Sequence, residues 1–244
     1  MWEKRMQLLF GLFVLVLIAF LFSGLLTLPV TSSPDETSPT QTEVADMANT
    51  NLIVLDAGHG GVDPGKIGVN DAKEKDVNLQ IVYYLMDFLQ DNGVEVVLTR
   101  EDDEGLYSEY ASNKKTEDMQ KRCAIIEEAN PAFTVSIHQN SYHDGSVKGA
   151  QVFYYEKSDV GKQLAETIQS ALIEQLDPSN GRQAKANSNY YMLRRTVSPT
   201  VLIECGFLSN WEEAQLLVTE EYQKKVAEAI GQGILTFMDM DKQG

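Results

Sequence analysis

Beyond residue 50, short apolar runs alternate with longer segments whose apolar residues recur at helical spacing. The apolar runs predict β-strands at residues 52–56, 94–99, 133–138, 150–155, 190–193 and 200–204. The helical spacing predicts α-helices over 75–92, 117–129, 159–176 and 220–239, and a shorter one over 211–218. Strands that alternate with helices assemble into parallel sheets. The pattern therefore predicts an α/β fold: a three-layer αβα domain with a central, mostly parallel sheet of about six strands.

Turn-forming residues mark the ends of the first three predicted helices. Asn92 and Gly93 follow the first helix, and glycine readily adopts the left-handed conformation of a helix C-cap. Proline follows Asn130 after the second helix and Asp177 after the third. Because a residue that precedes proline disfavours the helical conformation, both helices are expected to end there.

Residues 1–30 are strongly apolar. Residues 8–22 carry no charge and the apolar stretch continues to about Val30, which is long enough to cross a bilayer as a helix. Lys4 and Arg5 precede it, so the positive-inside tendency places the rest of the chain outside the cytoplasm. A cleaved signal peptide is the alternative, but the run is long for one and no A-x-A-like site follows. We expect one N-terminal transmembrane helix that anchors an extracytoplasmic protein.

Residues 31–50 are rich in Ser, Thr, Pro and acidic residues and have almost no large apolar side chains. Such a segment cannot bury enough surface to fold, so it is expected to be a disordered tether. Residues 51–244 then form a single folded domain, since no internal repeat or second domain is visible. A length of about 190 residues suits one well-buried core.

The chain is acidic, with 36 Asp and Glu against 20 Lys and Arg. Residues 1–50 hold five acids and two bases, so the remainder has 31 acids and 18 bases, a net charge near −13. This balance argues against nucleic acid, whose binding depends on phosphate neutralisation, and against an anionic membrane surface. It suits a neutral or cationic polymer or a basic protein partner, or serves solubility alone.

Two further features leave alternatives open. Cys123 and Cys205 lie far apart in apolar patterns, so buried free thiols are expected, although a disulfide could form outside the cytoplasm.

Residues 101–116 form a long, polar and irregular segment. A loop of this kind is either one wall of a binding groove or a mobile surface.

Four potential ligands or acid–base groups lie at the ends of predicted elements. His59 follows the first strand on a glycine-rich turn, and Glu74 lies just ahead of a helix. His138 and Glu204 are the last residues of their predicted strands. In parallel α/β sheets the carboxyl ends of the strands form the binding edge, so these side chains are expected to meet there. Two imidazoles and a carboxylate are a common catalytic zinc set, and a second carboxylate could move protons beside the metal.

Each of these residues alone has an ordinary structural explanation. A single strand-end histidine is usually a hydrogen-bonded core residue, and Glu74 could stabilise a helix N-terminus by about 0.3–1 kcal/mol. Glu204 is harder to explain in this way, because it follows Val201, Leu202 and Ile203. A buried carboxylate without a partner is costly, so it requires a metal, a cation or a function.

Other polar residues are given structural roles. His143, in a polar turn, is expected on the surface. Arg100 and Arg122 interrupt apolar patterns and are expected to form structural ion pairs. Asn140 could donate a hydrogen bond in the site or shape the turn that follows His138.

With these residues in place, the sequence resembles a known family, the zinc-dependent N-acetylmuramoyl-L-alanine amidases of the type 3 group. The matching stretches cover essentially all of residues 52–218: LDAGHGGVDPGKIG, KEKDVNLQIVYYL, VVLTR, KRCAIIEEANPAFTVSIHQNS, VKGAQVFYY and PTVLIECGFLSNWEEAQLL. Their order, with KKTEDMQKR before the second helix, is most similar to the germination-type amidases of spore-forming bacteria. Lys66 and Gln139 depart from the residues that are usual in the family, and neither is a ligand position.

The resemblance implies a Zn²⁺ ion held by His59, Glu74 and His138, with Glu204 as the catalytic proton carrier. It implies hydrolysis of the amide between N-acetylmuramic acid and L-alanine in peptidoglycan, with processing of spore cortex towards muramic δ-lactam as the setting and the forespore as the location. A vegetative cell-wall amidase and a zinc peptidase on free peptides are the alternatives, and a non-enzymatic wall-binding module is a weaker one. A protein activator is also compatible with the acidic surface.

Overall fold

The computed structural model describes residues 51–241, so the predictions for residues 1–30 and 31–50 lie outside the described residues. The strands are β1 (Leu52–Ala57), β2 (Glu95–Leu98), β3 (Phe133–Asn140), β4 (Gln151–Tyr154), β5 (Lys185–Ala186) and β6 (Thr200–Phe207). The helices are α1 (Glu74–Asp91), α2 (Lys114–Ala129), α3 (Asp159–Gln175), α4 (Tyr191–Arg195), α5 (Trp211–Leu217) and α6 (Glu220–Asp241). Within residues 51–241, no helix is both long enough and apolar enough to cross a membrane.

The strands form one sheet in the order β2-β1-β3-β6-β4-β5. β2, β1, β3 and β6 are parallel, β4 is antiparallel to β6, and β5 is parallel to β4. The prediction of a six-stranded, mostly parallel sheet is therefore confirmed. Because β1, β3 and β6 are adjacent and parallel, their carboxyl ends meet at one edge, as the site prediction requires.

One predicted strand is wrong. Residues 190–193 enter the short helix α4, where Asn187 Oδ1 accepts the backbone N–H of Tyr190 and forms the turn that starts it. An apolar run of four residues is too short to distinguish strand from helix by periodicity. The sixth strand is instead β5, an exposed pair of residues at the sheet edge, beside Phe153 and Tyr154. A strand of two exposed residues, Lys185 and Ala186, is too short to give an apolar signal in the sequence.

Alternate residues of β1 face opposite layers of helices. Ile53 and Leu55 pack into the main core with α1, α3 and α6, whereas Val54 packs in a smaller cluster with Ile126 of α2 and Met192 of α4. All three strand residues are fully buried. Burial on both faces is typical of a parallel sheet covered by helices, and it explains the continuous apolar run in the sequence.

The predicted helix ends are close to those observed. Asn92 is the C-cap of α1, and Gly93 beyond it has φ of 78°. Asn130 caps α2 in the left-handed conformation with φ of 45°, immediately before Pro131. These local signals ended the helices as the sequence predicts.

The two cysteines are free thiols, so the alternative of a disulfide is wrong. Cys205 is buried in the core, and Cys123 is half-buried with its thiol directed at the Met192 sulfur. Burial raises the pKa of Cys123 to about 11, which keeps the thiol protonated at neutral pH.

A buried ion pair joins β1 to α2. Arg122 Nη1 lies 2.8 Å from Asp56 Oδ1, and both side chains are almost fully buried. Thr99 and Ser136 also donate hydrogen bonds to Asp56, at 2.7 and 2.6 Å. Burial opposes the charge of Asp56, but Arg122 and these hydroxyls outweigh it and hold the pKa of Asp56 well below its ordinary value. Arg122 thus confirms the predicted structural ion pair.

Arg122→Leu should destabilise the domain, because it leaves the Asp56 carboxylate buried without its cation. We expect a loss of about 3–5 kcal/mol in the free energy of unfolding, measured by urea denaturation at pH 7. Lys121→Ala is the matched control, since the neighbouring Lys121 is half-exposed and pairs with Glu117 on the helix surface. Equal shifts in the two variants would contradict a special role for the buried pair.

Candidate metal centre

His59 lies two residues beyond β1, on a turn that glycine makes possible. Its own backbone has φ of 64°, an uncommon left-handed conformation for a residue with a side chain. Gly60 and Gly61 follow with φ of 140° and 56°. Such strained conformations persist where the surroundings hold them in place.

Two arginines and an asparagine hold this turn by its carbonyl groups. Arg122 donates to the carbonyls of Ala57 and His59. Arg100 donates to the carbonyls of Ala57, Gly58 and Lys75, at 2.8, 3.3 and 2.8 Å. It thereby links the end of β1 to the first turn of α1. The Asn78 amide of α1 donates to the Gly58 carbonyl at 3.0 Å. These bonds fix the path of the chain up to His59.

Glu74 is the first residue of α1 and is only 2% exposed. Lys66 N donates to its Oε2 at 2.7 Å, and Gln139 N donates to its Oε1 at 3.1 Å. Both donors are backbone groups, so the family departures at positions 66 and 139 leave these contacts intact. Glu74 is thus fixed from two sides by the chain itself.

His138 and Glu204 are paired residues of adjacent strands, in register across β3 and β6. The prediction that they end their strands is wrong, because pairing continues to Asn140 and Phe207. The register shifts between His138 and Asn140. Irregularities of this kind change the direction of side chains at the edges of sheets. Beyond the shift, backbone pairing resumes between Asn140 and Phe207.

The three predicted ligands come together. Glu74 Oε1 lies 3.2 Å from His59 Nε2 and 3.0 Å from His138 Nδ1, and one ligand atom from each residue lies within 4.8 Å of the others. Two ligands at about 2.0–2.1 Å from a tetrahedral zinc would be about 3.3 Å apart. The donor set and its spacing therefore fit a metal ion.

Close packing around the cluster leaves no room for additional side chains. A Cβ on Gly58 would lie 2.2–2.7 Å from ring atoms of His138. A Cβ on Gly65, whose φ is 67°, would lie 2.5 Å from Glu74 Oε2 and 2.7 Å from His59 Cδ2. These glycines are required because the backbone approaches the ligands directly.

The two glutamates of the centre have opposite electrostatic environments. Burial opposes the charge of Glu74, but hydrogen bonds from His138 and His59 outweigh it and hold the pKa of Glu74 well below its ordinary value. Burial raises the pKa of Glu204, and His138 offsets this only in part. Burial likewise disfavours charge on His59, yet Glu74 and Asp63 together raise the pKa of His59. Glu74 is thus an anionic ligand candidate, and Glu204 is a candidate for proton transfer.

Two residues around the centre were not predicted from sequence. Asp63 Oδ2 accepts from His59 Nδ1 at 3.0 Å, which leaves Nε2 of that ring free to face the cluster. Tyr190 Oη donates to Glu204 Oε1 at 3.3 Å, whereas Glu204 Oε2 is buried without a hydrogen-bond partner in the structure. Asp63 lies four residues after His59, and this spacing was a weak signal in the sequence that the two side chains could meet. Nothing in the sequence pointed to Tyr190.

The remaining candidates lie outside the cluster. His143 is exposed and stacks on Tyr142 with ring centroids 4.0 Å apart, as expected for a surface residue. Asn140 accepts the backbone N–H of Ser141, so it shapes the turn. Arg100 has carbonyl partners in place of the predicted carboxylate, because its buried guanidinium lies against the carbonyls of Ala57 and Gly58 at the end of β1.

The irregular loop before α2 packs against the His59 turn. Tyr107 Oη accepts the backbone N–H of Val62 at 2.8 Å, and Asp103 O accepts that of Gly61. A cavity of about 260 Å³ is lined by Gly60, Val62, Asp63, Tyr107, Lys115 and Asp118. Residues 101–116 were expected to be either one wall of a binding groove or a mobile surface. These contacts fit a groove wall beside the centre better.

Comparison with known proteins identifies the family. The profile of the N-acetylmuramoyl-L-alanine amidase family matches residues 53–236. The germination-specific N-acetylmuramoyl-L-alanine amidase of Bacillus subtilis (strain 168) is 39% identical over 189 residues, which cover 76% of this chain and 79% of that protein.

Solved structures agree with this result. The CwlD amidase of Clostridioides difficile, determined in complex with the GerS lipoprotein, has a TM-score of 0.75 and 41% identity, over 78% of this chain and 98% of that one. The amidase AmiC2 of Nostoc punctiforme has a TM-score of 0.67 and 36% identity, over 77% and 97% of the two chains. With the site geometry, these matches show that the chain belongs to the N-acetylmuramoyl-L-alanine amidase family.

Proposed function

We propose that this chain is a zinc-dependent amidase that hydrolyses the bond between N-acetylmuramic acid and L-alanine in spore cortex peptidoglycan. The observation that carries the proposal is the convergence of His59, Glu74 and His138 next to Glu204, a buried carboxylate with one unpartnered oxygen. Family membership favours the amide of peptidoglycan over free peptides as the substrate.

Zinc is the metal that this donor set suits best, with two imidazole nitrogens and one carboxylate oxygen. Structural zinc sites normally have four protein ligands, whereas catalytic sites have three and keep one position open. Among the described residues, only these three form such a group. When bound, zinc supplies Lewis acidity, which polarises a carbonyl and lowers the pKa of water to about 7.

Glu204 is proposed to carry protons during hydrolysis. Burial raises its pKa above the ordinary value, which makes it a better proton acceptor than an exposed carboxylate. The unpartnered Oε2 can accept the proton of the attacking water and deliver it to the amine of L-alanine as that group leaves. This proton transfer avoids expulsion of an amide anion.

Asp63 is proposed to orient the first ligand. A histidine that binds a metal through one ring nitrogen commonly donates its other N–H to a carboxylate, which fixes the tautomer. The contact between His59 Nδ1 and Asp63 Oδ2 has this arrangement. Lys115 also lies 3.3 Å from Asp63 Oδ2 and helps to keep that carboxylate ionised.

The biological setting is proposed from the relatives. One is named germination-specific, and another was solved with a lipoprotein, which supports spore cortex as the substrate and a protein activator as a partner. An extracytoplasmic, forespore-associated location follows from that substrate. Residues 1–30 as membrane anchor, 31–50 as tether and 51–244 as the catalytic domain complete the proposed organisation.

His138→Ala should remove most of the zinc, because it takes away one of only three protein ligands. Metal content of the purified protein, measured by mass spectrometry, checks this. His143→Ala is the control, since that histidine is exposed and remote from the cluster, and it should retain a full complement. A zinc-replete but inactive His138→Ala variant would contradict the ligand assignment.

Glu204→Gln should lower kcat by about 10²–10⁴-fold while zinc is retained, since the variant cannot accept a proton. The measurement is the release of stem peptides from purified peptidoglycan. Glu212→Gln, which changes an exposed residue at the start of α5, should leave turnover unchanged. Near wild-type turnover of Glu204→Gln would refute its role as proton carrier.

Spores of a strain that lacks this protein should contain little muramic δ-lactam, because stem peptides would stay on the muramic acid residues. Muropeptide analysis of the cortex measures this directly. Normal δ-lactam content would exclude the cortex and indicate a vegetative wall amidase with the same chemistry.

A further inference from the structure

We infer that Tyr190 is a positioning residue for Glu204: its hydroxyl holds Oε1, so that Oε2 becomes the oxygen that exchanges protons during hydrolysis. This inference rests on the proposed role of Glu204 and adds a residue to it. Tyr190 lies outside the ligand set and outside the strands that carry the other site residues, on the turn that leads into α4.

The two oxygens of Glu204 differ in their surroundings. Oε1 accepts a hydrogen bond from Tyr190 Oη at 3.3 Å. Oε2 is buried and has no hydrogen-bond partner. A buried carboxylate oxygen without a partner is costly, and such oxygens occur where a reacting group binds. One oxygen is therefore fixed by the protein, and the other is left for the reaction.

The Tyr190 ring is fixed by contacts with β4, the strand beside Glu204. It packs edge-on against Phe153, with ring centroids 5.4 Å apart. Asn187 Oδ1 accepts the backbone N–H of Tyr190 at 3.0 Å, and Asn187 N donates to the Tyr154 carbonyl at 2.8 Å. Phe153 and Tyr154 are neighbours in β4, which pairs with β6. The hydroxyl is thus held relative to the strand that carries Glu204.

Tyr190 has the protonation state that a donor requires. Burial raises the pKa of its phenol above the ordinary value, and the nearby charge of Glu204 raises it further. The hydroxyl therefore stays protonated at neutral pH and donates. A phenol that donates to one oxygen also restricts rotation of the carboxylate, which keeps Oε2 in one direction.

Tyr190→Phe tests the hydroxyl while it preserves the ring and its packing on Phe153. We expect kcat to fall about tenfold, as for loss of one hydrogen bond to a charged group, with KM, zinc content and melting temperature unchanged. Tyr191→Phe is the matched control, because Tyr191 packs in the separate cluster beneath α2, and it should behave as wild type. A purely structural role would change melting temperature or zinc content together with kcat.

A second pair of variants tests the same hydroxyl without altering Tyr190. Asn187→Ala removes the side-chain acceptor that orders the turn, and should lower kcat several-fold. Asn187→Asp keeps an acceptor oxygen and should restore kcat. Unchanged kcat in Tyr190→Phe, with Glu204→Gln inactive, would overturn the inference and leave the proposed function intact. An active Glu204→Gln variant would overturn both.

Discussion

The buried pair of Asp56 and Arg122 is the interaction on which the centre depends. It fixes the end of β1, and the same guanidinium continues to the carbonyls of Ala57 and His59. His59 can hold its uncommon left-handed conformation because that turn has no freedom to relax. One arginine of α2 therefore connects the helix layer, strand β1 and the first candidate ligand. Loss of that arginine would disturb the candidate metal centre by releasing the backbone at Ala57 and His59, not by removing a side chain of the site.

The centre separates two glutamates by their partners. Glu74 has two imidazoles and two backbone N–H groups around it, all of which favour its charged form. Glu204 is similarly buried but receives one phenol hydroxyl, so burial dominates. Two carboxylates whose pKa values move in opposite directions are suited to different tasks. Their separation follows from the fold: Glu74 is the first residue of helix α1, whereas Glu204 lies within strand β6.

The sequence predicts those parts of the structure that local pattern determines. Five of the six predicted strands and all five predicted helices are present, since each had its own apolar run or periodicity, and glycine or proline marked the ends of the first three helices. The strand predicted at 190–193 failed because four residues carry no reliable period. The edge strand β5 was missed because its two exposed residues, Lys185 and Ala186, form no apolar run and are recognised as a strand by their pairing with β4.

The same distinction applies to the candidate site. His59, Glu74, His138 and Glu204 were predicted to meet because parallel topology brings the carboxyl ends of strands to one edge, and the structure does bring them together. Tyr190 could not be found in this way. Its hydroxyl reaches Glu204 through a turn whose shape depends on Asn187 and on packing against β4, none of which has periodicity.

Steric fit explains why the glycine-rich segment is so informative. A side chain at Gly58 would overlap the His138 ring, which comes from a different strand, and one at Gly65 would overlap Glu74 and His59. The Gly58 position is therefore constrained by a distant strand and Gly65 by the two neighbouring ligand candidates, although both glycines resemble parts of a local turn motif. The glycines permit the turn, and they also let the chain segments that carry His59, Glu74 and His138 approach within contact distance of one another. A motif near one ligand thus carries information about the whole centre.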